Sequence, residues 1–317
     1  MREVPQTLLN RPFARSEALA LGVSARVLEG ARFVRVHPRV YRHRDHEMTF
    51  RDEVAAARLA LPGDAYPTGI TRMRLLGLEI GRAHPLRFVV EGDLHLALDR
   101  IFLHRTVLLP PTDEVGVTPA AAYLAFCRQA RTIDAIGVGD WLLHRGHLDA
   151  DELRALVTAQ SWRRGAAEAA WVLDHLVGDA RSLRESEVRS CLTFAGLPPP
   201  QPNGPIALGD VAVHGDLWFA AYRTAVEYEG VQHQTDRGQY VSDIDRYALY
   251  RRHDVHYVQV TTEKLRTPRA VVREVHESLV RGGYTGPAPD FGATWDLLFT
   301  RLSRLVPRSR RRLRAVA

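Results

Sequence analysis

Lysine is almost missing from this chain: Lys264 is the only one in 317 residues, although Lys and Arg together number 43. Lysine codons are AT-rich, so the skew follows a high-GC genome, and arginine abundance alone says little about phosphate binding. Cysteine is scarce as well. Cys127 and Cys191 stand far apart in sequence, which excludes a disulfide framework and a four-cysteine metal site. No uninterrupted apolar run is long enough to span a membrane, and Met1-Arg-Glu-Val-Pro lacks the apolar stretch of a signal peptide. P-loop and dinucleotide fingerprints are absent, and so are internal repeats. The expectation is a cytoplasmic protein with no membrane partner.

What is present is an ordinary globular composition, 45% hydrophobic and 25% charged, in a chain long enough for two domains. The net charge of +6 and pI of about 9.6 suit a nucleic-acid partner. Placement says more than the total. The run Pro307-Arg-Ser-Arg-Arg-Arg-Leu-Arg314 reads either as a contact to a DNA backbone or as a solvated tail.

The richest stretch is Asp216-Leu-Trp-Phe-Ala-Ala-Tyr-Arg-Thr-Ala-Val-Glu227-Tyr-Glu229-Gly230-Val-Gln-His233. It reads as two strands joined by a turn around Tyr222-Arg223. Side chains repeat every second residue along a strand, so Glu227 and Glu229 point the same way. With Asp216 on the neighbouring strand facing that side, three anions converge near a sheet end. Buried like charges repel unless something positive lies among them, and a divalent cation held by oxygen ligands is the usual resolution. Acidic residues at strand ends are also common on solvated faces, and that plain alternative stands beside the metal site.

The order D-x10-E-x-[D/E]-G-x-x-H, then Asp243-Ile-Asp-Arg246 and the apolar run Tyr257-Val-Gln-Val-Thr261, resembles a nuclease-like domain of unknown function. That domain is related to the very-short-patch repair endonucleases of the PD-(D/E)XK superfamily, and the resemblance covers about residues 180 to 280, beginning at Ser182-Leu-Arg-Glu185. It implies a restriction-endonuclease-like α/β domain with a central mixed sheet. It also implies a magnesium (or manganese) site with Asp216, Glu227 and Glu229 as ligands and Glu185 as a fourth carboxylate. Where the superfamily most often carries lysine this chain has Glu229, so the match is to the lysine-less branch, with His233 the candidate general base. Arg246 is either a phosphate contact or the partner that holds Asp243. Three positions depart from the family pattern: Asp254-Val255 replaces a Gly-Trp pair, Gln259 an arginine, and Ala220 a proline. Those departures leave the carboxylates in place and touch packing or a phosphate contact.

The N-terminal segment has another character. Pro12 to Gly22 has helical spacing and a glycine stop, Ser24 is a candidate N-cap for a helix Ala25–Ala31, and Arg32 to Arg42 alternates around His37-Pro38-Arg39. Helix, glycine turn, helix and a basic two-stranded ribbon form a winged helix-turn-helix pattern. The segment resembles the N-terminal domain of AbiEi-type antitoxins, which are DNA-binding autorepressors. That resemblance covers about residues 5 to 45 and continues faintly at Thr68–Leu78 and Ala130–Asp134. It implies contacts to double-stranded DNA from Ser24 and Arg26 on the second helix and from Arg32, Arg35, Arg39 and Arg42 on the wing. A solvent-facing arginine stripe or a protein-docking surface is the competing reading.

The expected architecture is therefore α/β (α+β overall) in four parts: a winged helix over 1–48, a mixed, mainly helical region over 49–178, a nuclease-like domain over 179–285, and a C-terminal helix with its basic tail over 286–317. Leu86–Val90 and Arg105–Leu109 read as strands, and Trp141, Trp162 and Trp171 as core anchors. Two functions compete. One is a metal-dependent DNA endonuclease. The other is a non-catalytic regulator or antitoxin, with a toxin partner or a second copy of the chain as its protein partner.

Overall fold

The computed structural model describes residues 4–229 and 246–306. His233, Asp243 and the basic tail lie outside the described residues. The fold is mixed α/β, with three sheets among the described residues. The chain divides into two compact units, residues 1–125 and 126–317.

In the first unit, α1 (Arg15–Ala20) and α2 (Ala25–Leu28) precede β2 (Phe33–His37) and β3 (Val40–His43). The expected first helix starts later than its apolar spacing suggests. Phe13 and Ala14 form a short strand, β1, paired with Tyr41 and Val40 of β3, so those residues are extended. The second helix is a single turn with Glu29 at its C-cap, shorter than the expected Ala25–Ala31. Leu8, Phe13, Ala18, Val23, Leu28, Phe33 and Tyr41 form one buried cluster, which binds both helices to the ribbon.

The rest of this unit is built on α3 (Phe50–Ala60), where Thr49 and Asp52 form a reciprocal capping box. α4 (Gly69–Leu75) follows, beside a sheet of order β4 (Tyr66–Pro67), β5 (Leu86–Glu91), β6 (Ile101–Thr106), the last two parallel, and α5 (Pro119–Cys127) comes after β6. β6 thus begins four residues ahead of the expected strand, because Ile101 and Leu103 pack against the cluster of Leu75, Leu86, Phe88 and Val90. The Arg72 guanidinium is buried and satisfied by the Val117 carbonyl at 3.0 Å and Asp113 at 2.5 Å.

The second unit joins helices α6 (Thr132–His144), α7 (Ala150–Ala159), α8 (Ala166–Leu173) and α9 (Leu183–Phe194) to a four-stranded sheet. Its order is β10 (His256–Thr261), β9 (Thr224–Glu229), β8 (Val211–Phe219), β7 (Gln201–Leu208). β7, β8 and β9 are antiparallel neighbours, and β10 is parallel to β9. The edge position of β7 accommodates Pro202 and Pro205, which have no N–H to offer a ladder. The described part of α10, 246–252, leads into β10; α11 (Pro268–Arg281) and α12 (Ala293–Phe299) come after it.

The expected division is at 178/179, where the nuclease resemblance begins, but residues 126–178 fall in the same compact unit as the sheet. The reason lies between α6 and α9. Gly137 lets the helices approach, its missing Cβ 3.5 Å from Leu183 Cδ2, and Arg189 Nη2 meets the wholly buried Asp140 at 2.9 Å. Trp162 also departs from the expected core role. It is 46% exposed, with the Arg163 guanidinium over its ring.

Candidate functional site

β8 and β9 pair Phe219 with Thr224, Trp218 with Ala225 and Leu217 with Val226. One step further the side chains take over from the backbone ladder. The Asp216 N–H donates to Glu227 Oε2 at 3.4 Å, and the Tyr228 N–H donates to Asp216 Oδ2 at 2.7 Å. On the other side of β8, the register with β7 runs from Pro202–Leu217 to Gly204–Gly215 and skips Asn203 and Asp216. Asn203 has φ 47°, a left-handed conformation that asparagine tolerates better than most residues. At Gly215 a Cβ would lie 3.2 Å from Glu227 Oε1 and 2.9 Å from Ile206 Cδ1, so the bare backbone makes room for the carboxylate. Asp216 and Glu227 are therefore brought together, at an irregularity shared by three strands.

Glu227 is 3% exposed. Tyr250 Oη donates to its Oε1 at 2.7 Å, and Arg246 Nη1 stands 3.7 Å from its Oε2. Burial, and then the charge of Asp216, push the Glu227 carboxyl up to about 7; Tyr250, Arg246 and the Asp216 N–H oppose that rise. Glu185 is buried in the first turn of α9, where Ser182 caps its N–H and its Oε2 accepts from the Arg181 N–H at 2.8 Å. Its carboxyl is raised too, first by burial and next by the charge of Asp216. Asp216 is thus the charge that both other carboxylates feel.

Glu229 has different partners from those expected. Its Oε1 accepts from Tyr247 Oη at 2.7 Å and from Gln259 Nε2 at 3.0 Å. Gln259 is one of the partners that hold it. Tyr247 and Tyr250 were not singled out from sequence, although two tyrosines three residues apart share one helical face and supplied the available signal. Burial raises both phenols above their ordinary range. Asp254 adopts φ 53°, the left-handed conformation a glycine favours.

Among the described residues no set of three His, Cys, Asp or Glu side chains stands close enough to hold a metal ion by itself. The Asp216–Glu227 pair, with Glu185 behind it, offers a smaller donor set of hard oxygens. Such a set fits magnesium, which is often held by one or two carboxylates together with substrate phosphate and water. A cation there would also reverse the repulsion that lifts Glu227.

In the first unit Arg26, Arg35 and Arg39 are exposed, and Arg39 occupies the ribbon turn with φ 63°. Ser24 takes the N-cap position of α2 without a side-chain cap bond. Arg32 is half-buried. Arg42 is committed elsewhere. Its Nη1 donates to the carbonyls of His43, Arg44 and His46 at 3.0, 2.7 and 2.6 Å and ties down the segment after the ribbon.

Comparison with known proteins yields distant relatives. Uncharacterized proteins from two strains of Mycobacterium tuberculosis are each 25% identical to this chain over 223 residues, which cover 68% of the chain and 80% of the relative. No family model matches, and no solved structure matches. No helix among the described residues is long and apolar enough to cross a membrane.

Proposed function

We propose that this chain is a DNA endonuclease that hydrolyses phosphodiester bonds in double-stranded DNA with a magnesium or manganese ion at Asp216 and Glu227. The observation that carries this reading is the Asp216–Glu227 pair: two carboxylates linked through each other's strands, one of them raised to about 7 by burial and by the charge of the other. A bound divalent cation would lower the pKa of an attacking water and stabilise charge building on the phosphate. Asp216 and Glu227 would hold the cation, and Glu185 would add negative potential from behind. Arg246, 3.7 Å from Glu227, would meet a phosphate oxygen. His233 is the proposed general base. Arg35 and Arg39 on the ribbon would contact the DNA backbone. A cytoplasmic location belongs with that partner.

A second reading has its own support. Tyr250 holds Glu227, and Tyr247 and Gln259 hold Glu229, so these oxygens are satisfied by protein donors alone. That favours a non-catalytic, antitoxin-like DNA-binding regulator, with a toxin or a second copy as partner. A cleavage assay on supercoiled plasmid and mismatched duplex, with magnesium or manganese, separates the two. Nicking by wild type and none by Glu227→Ala supports the nuclease. Absence of nicking by either protein, with DNA still bound, supports the regulator.

A further inference from the structure

Within the second unit, away from the carboxylates in sequence, the start of α11 and one face of α12 enclose a concavity of about 370 Å³. Thr267, Pro268 and Arg269 line one side and Trp295, Asp296 and Phe299 the other. Trp295 is buried, whereas Phe299, one turn on, is 38% exposed at the rim. The aromatic rings continue as a ladder. Phe291 meets Trp295 edge to face at 5.0 Å, and Trp295 lies 5.5 Å from Phe299. Arg269 and Arg273 place their guanidiniums 5.6 and 5.1 Å from the Phe291 ring centre, which holds both cations on the same side as the ladder.

We infer that this concavity receives one unpaired nucleotide of a DNA strand, its base against Phe299, which the buried Trp295 backs, and its phosphate toward Arg269. The walls are flat and apolar, as a base face requires, and an exposed aromatic ring gives a base sequence-tolerant stacking. The rim carries both signs. Arg269 complements a phosphate, and the Asp296 carboxylate can accept from a base amino group. A base still stacked within a duplex cannot present its face to Phe299, so the strand must be single or locally opened. The inference rests on the DNA-binding part of the proposed function and not on its metal chemistry.

The test is fluorescence anisotropy of a short labelled single-stranded oligodeoxynucleotide with the full chain in EDTA, against the matching duplex. Phe299→Ala should weaken single-strand binding by about 5- to 150-fold, the range that one base–aromatic stack is worth. Arg269→Ala should weaken it too, and Phe299→Trp should retain it. Equal single-strand affinity of wild type and Phe299→Ala would overturn the inference, as would no single-strand binding at all. Metal-dependent nicking could still stand in either case, so this failure is distinct from failure of the nuclease reading. Stronger competition by a free deoxynucleoside monophosphate than by the strand would overturn the assignment to a strand. A dimer in light scattering that Phe299→Ala abolishes would give the concavity to a second copy instead.

Discussion

Tyr250 donates its phenolic hydrogen to Glu227 Oε1 at 2.7 Å, so a residue of α10 holds the buried carboxylate of β9. The bond favours the ionised carboxylate and works against burial, which lifts Glu227 to about 7. Tyr250→Phe removes it. The Glu227 carboxyl should then titrate higher than in wild type, which carboxyl NMR on the two proteins would check; an equal or lower midpoint contradicts the assignment.

Glu227 should also make stability depend on pH. Its folded pKa lies above the ordinary value of 4.5, so its contribution is present in full below about 4.5 and is lost as pH rises through about 7. Glu227→Gln keeps the shape without the charge. Wild type and variant should melt together near pH 4.5, and the variant should gain several degrees over wild type by pH 8, on the order of 2–3 kcal/mol. Parallel melting curves across that range would contradict the buried charge.

If Asp216 and Glu227 hold a cation, protons and metal compete for Glu227. Millimolar magnesium should therefore raise the melting temperature more at pH 8 than at pH 6, and Glu227→Ala should abolish the shift. An unchanged melting temperature at both pH values counts against the nuclease and for the regulator.

Asp140 is wholly buried, and burial raises its pKa against the pull of Arg189. Arg189→Met should cost about 3–5 kcal/mol at neutral pH by leaving that carboxylate unpaired. Asp140→Leu combined with Arg189→Met should restore much of the loss. Chemical denaturation of the three proteins tests this, and an Arg189→Met variant as stable as wild type would refute it.

On the ribbon, exposed Arg35 and Arg39 should behave differently from Arg42, which is spent on three carbonyls. Arg35→Ala with Arg39→Ala should weaken DNA binding and flatten its salt dependence by about two phosphate contacts. Arg42→Ala should lower the melting temperature and leave the salt slope nearly unchanged. Equal salt slopes for wild type and the double variant would remove the ribbon from the DNA interface.

Much of this fold was legible because its signals are local. The Ser24 position ahead of α2, the alternation on either side of His37-Pro38-Arg39 and that in Thr224–Glu229 each depend on neighbours in sequence. The limits of α1 and α2 were not legible, because pairing of Phe13 with Tyr41 overrides helical spacing. The boundary near Gly178 failed to appear for a similar reason: Asp140 and Arg189 meet across forty-nine residues.

The sequence alone determined the strand alternation that sets Glu227 and Glu229 two residues apart, and the order of acidic residues that made Asp216 their expected neighbour. Only the tertiary structure decided how those carboxylates are used. The Asp216 carboxylate takes the Tyr228 N–H of β9, beside the left-handed Asn203 of β7, while Tyr247 and Gln259 take Glu229. Periodicity specifies the face on which a side chain stands, but the partner it finds there comes from strands and helices distant in sequence.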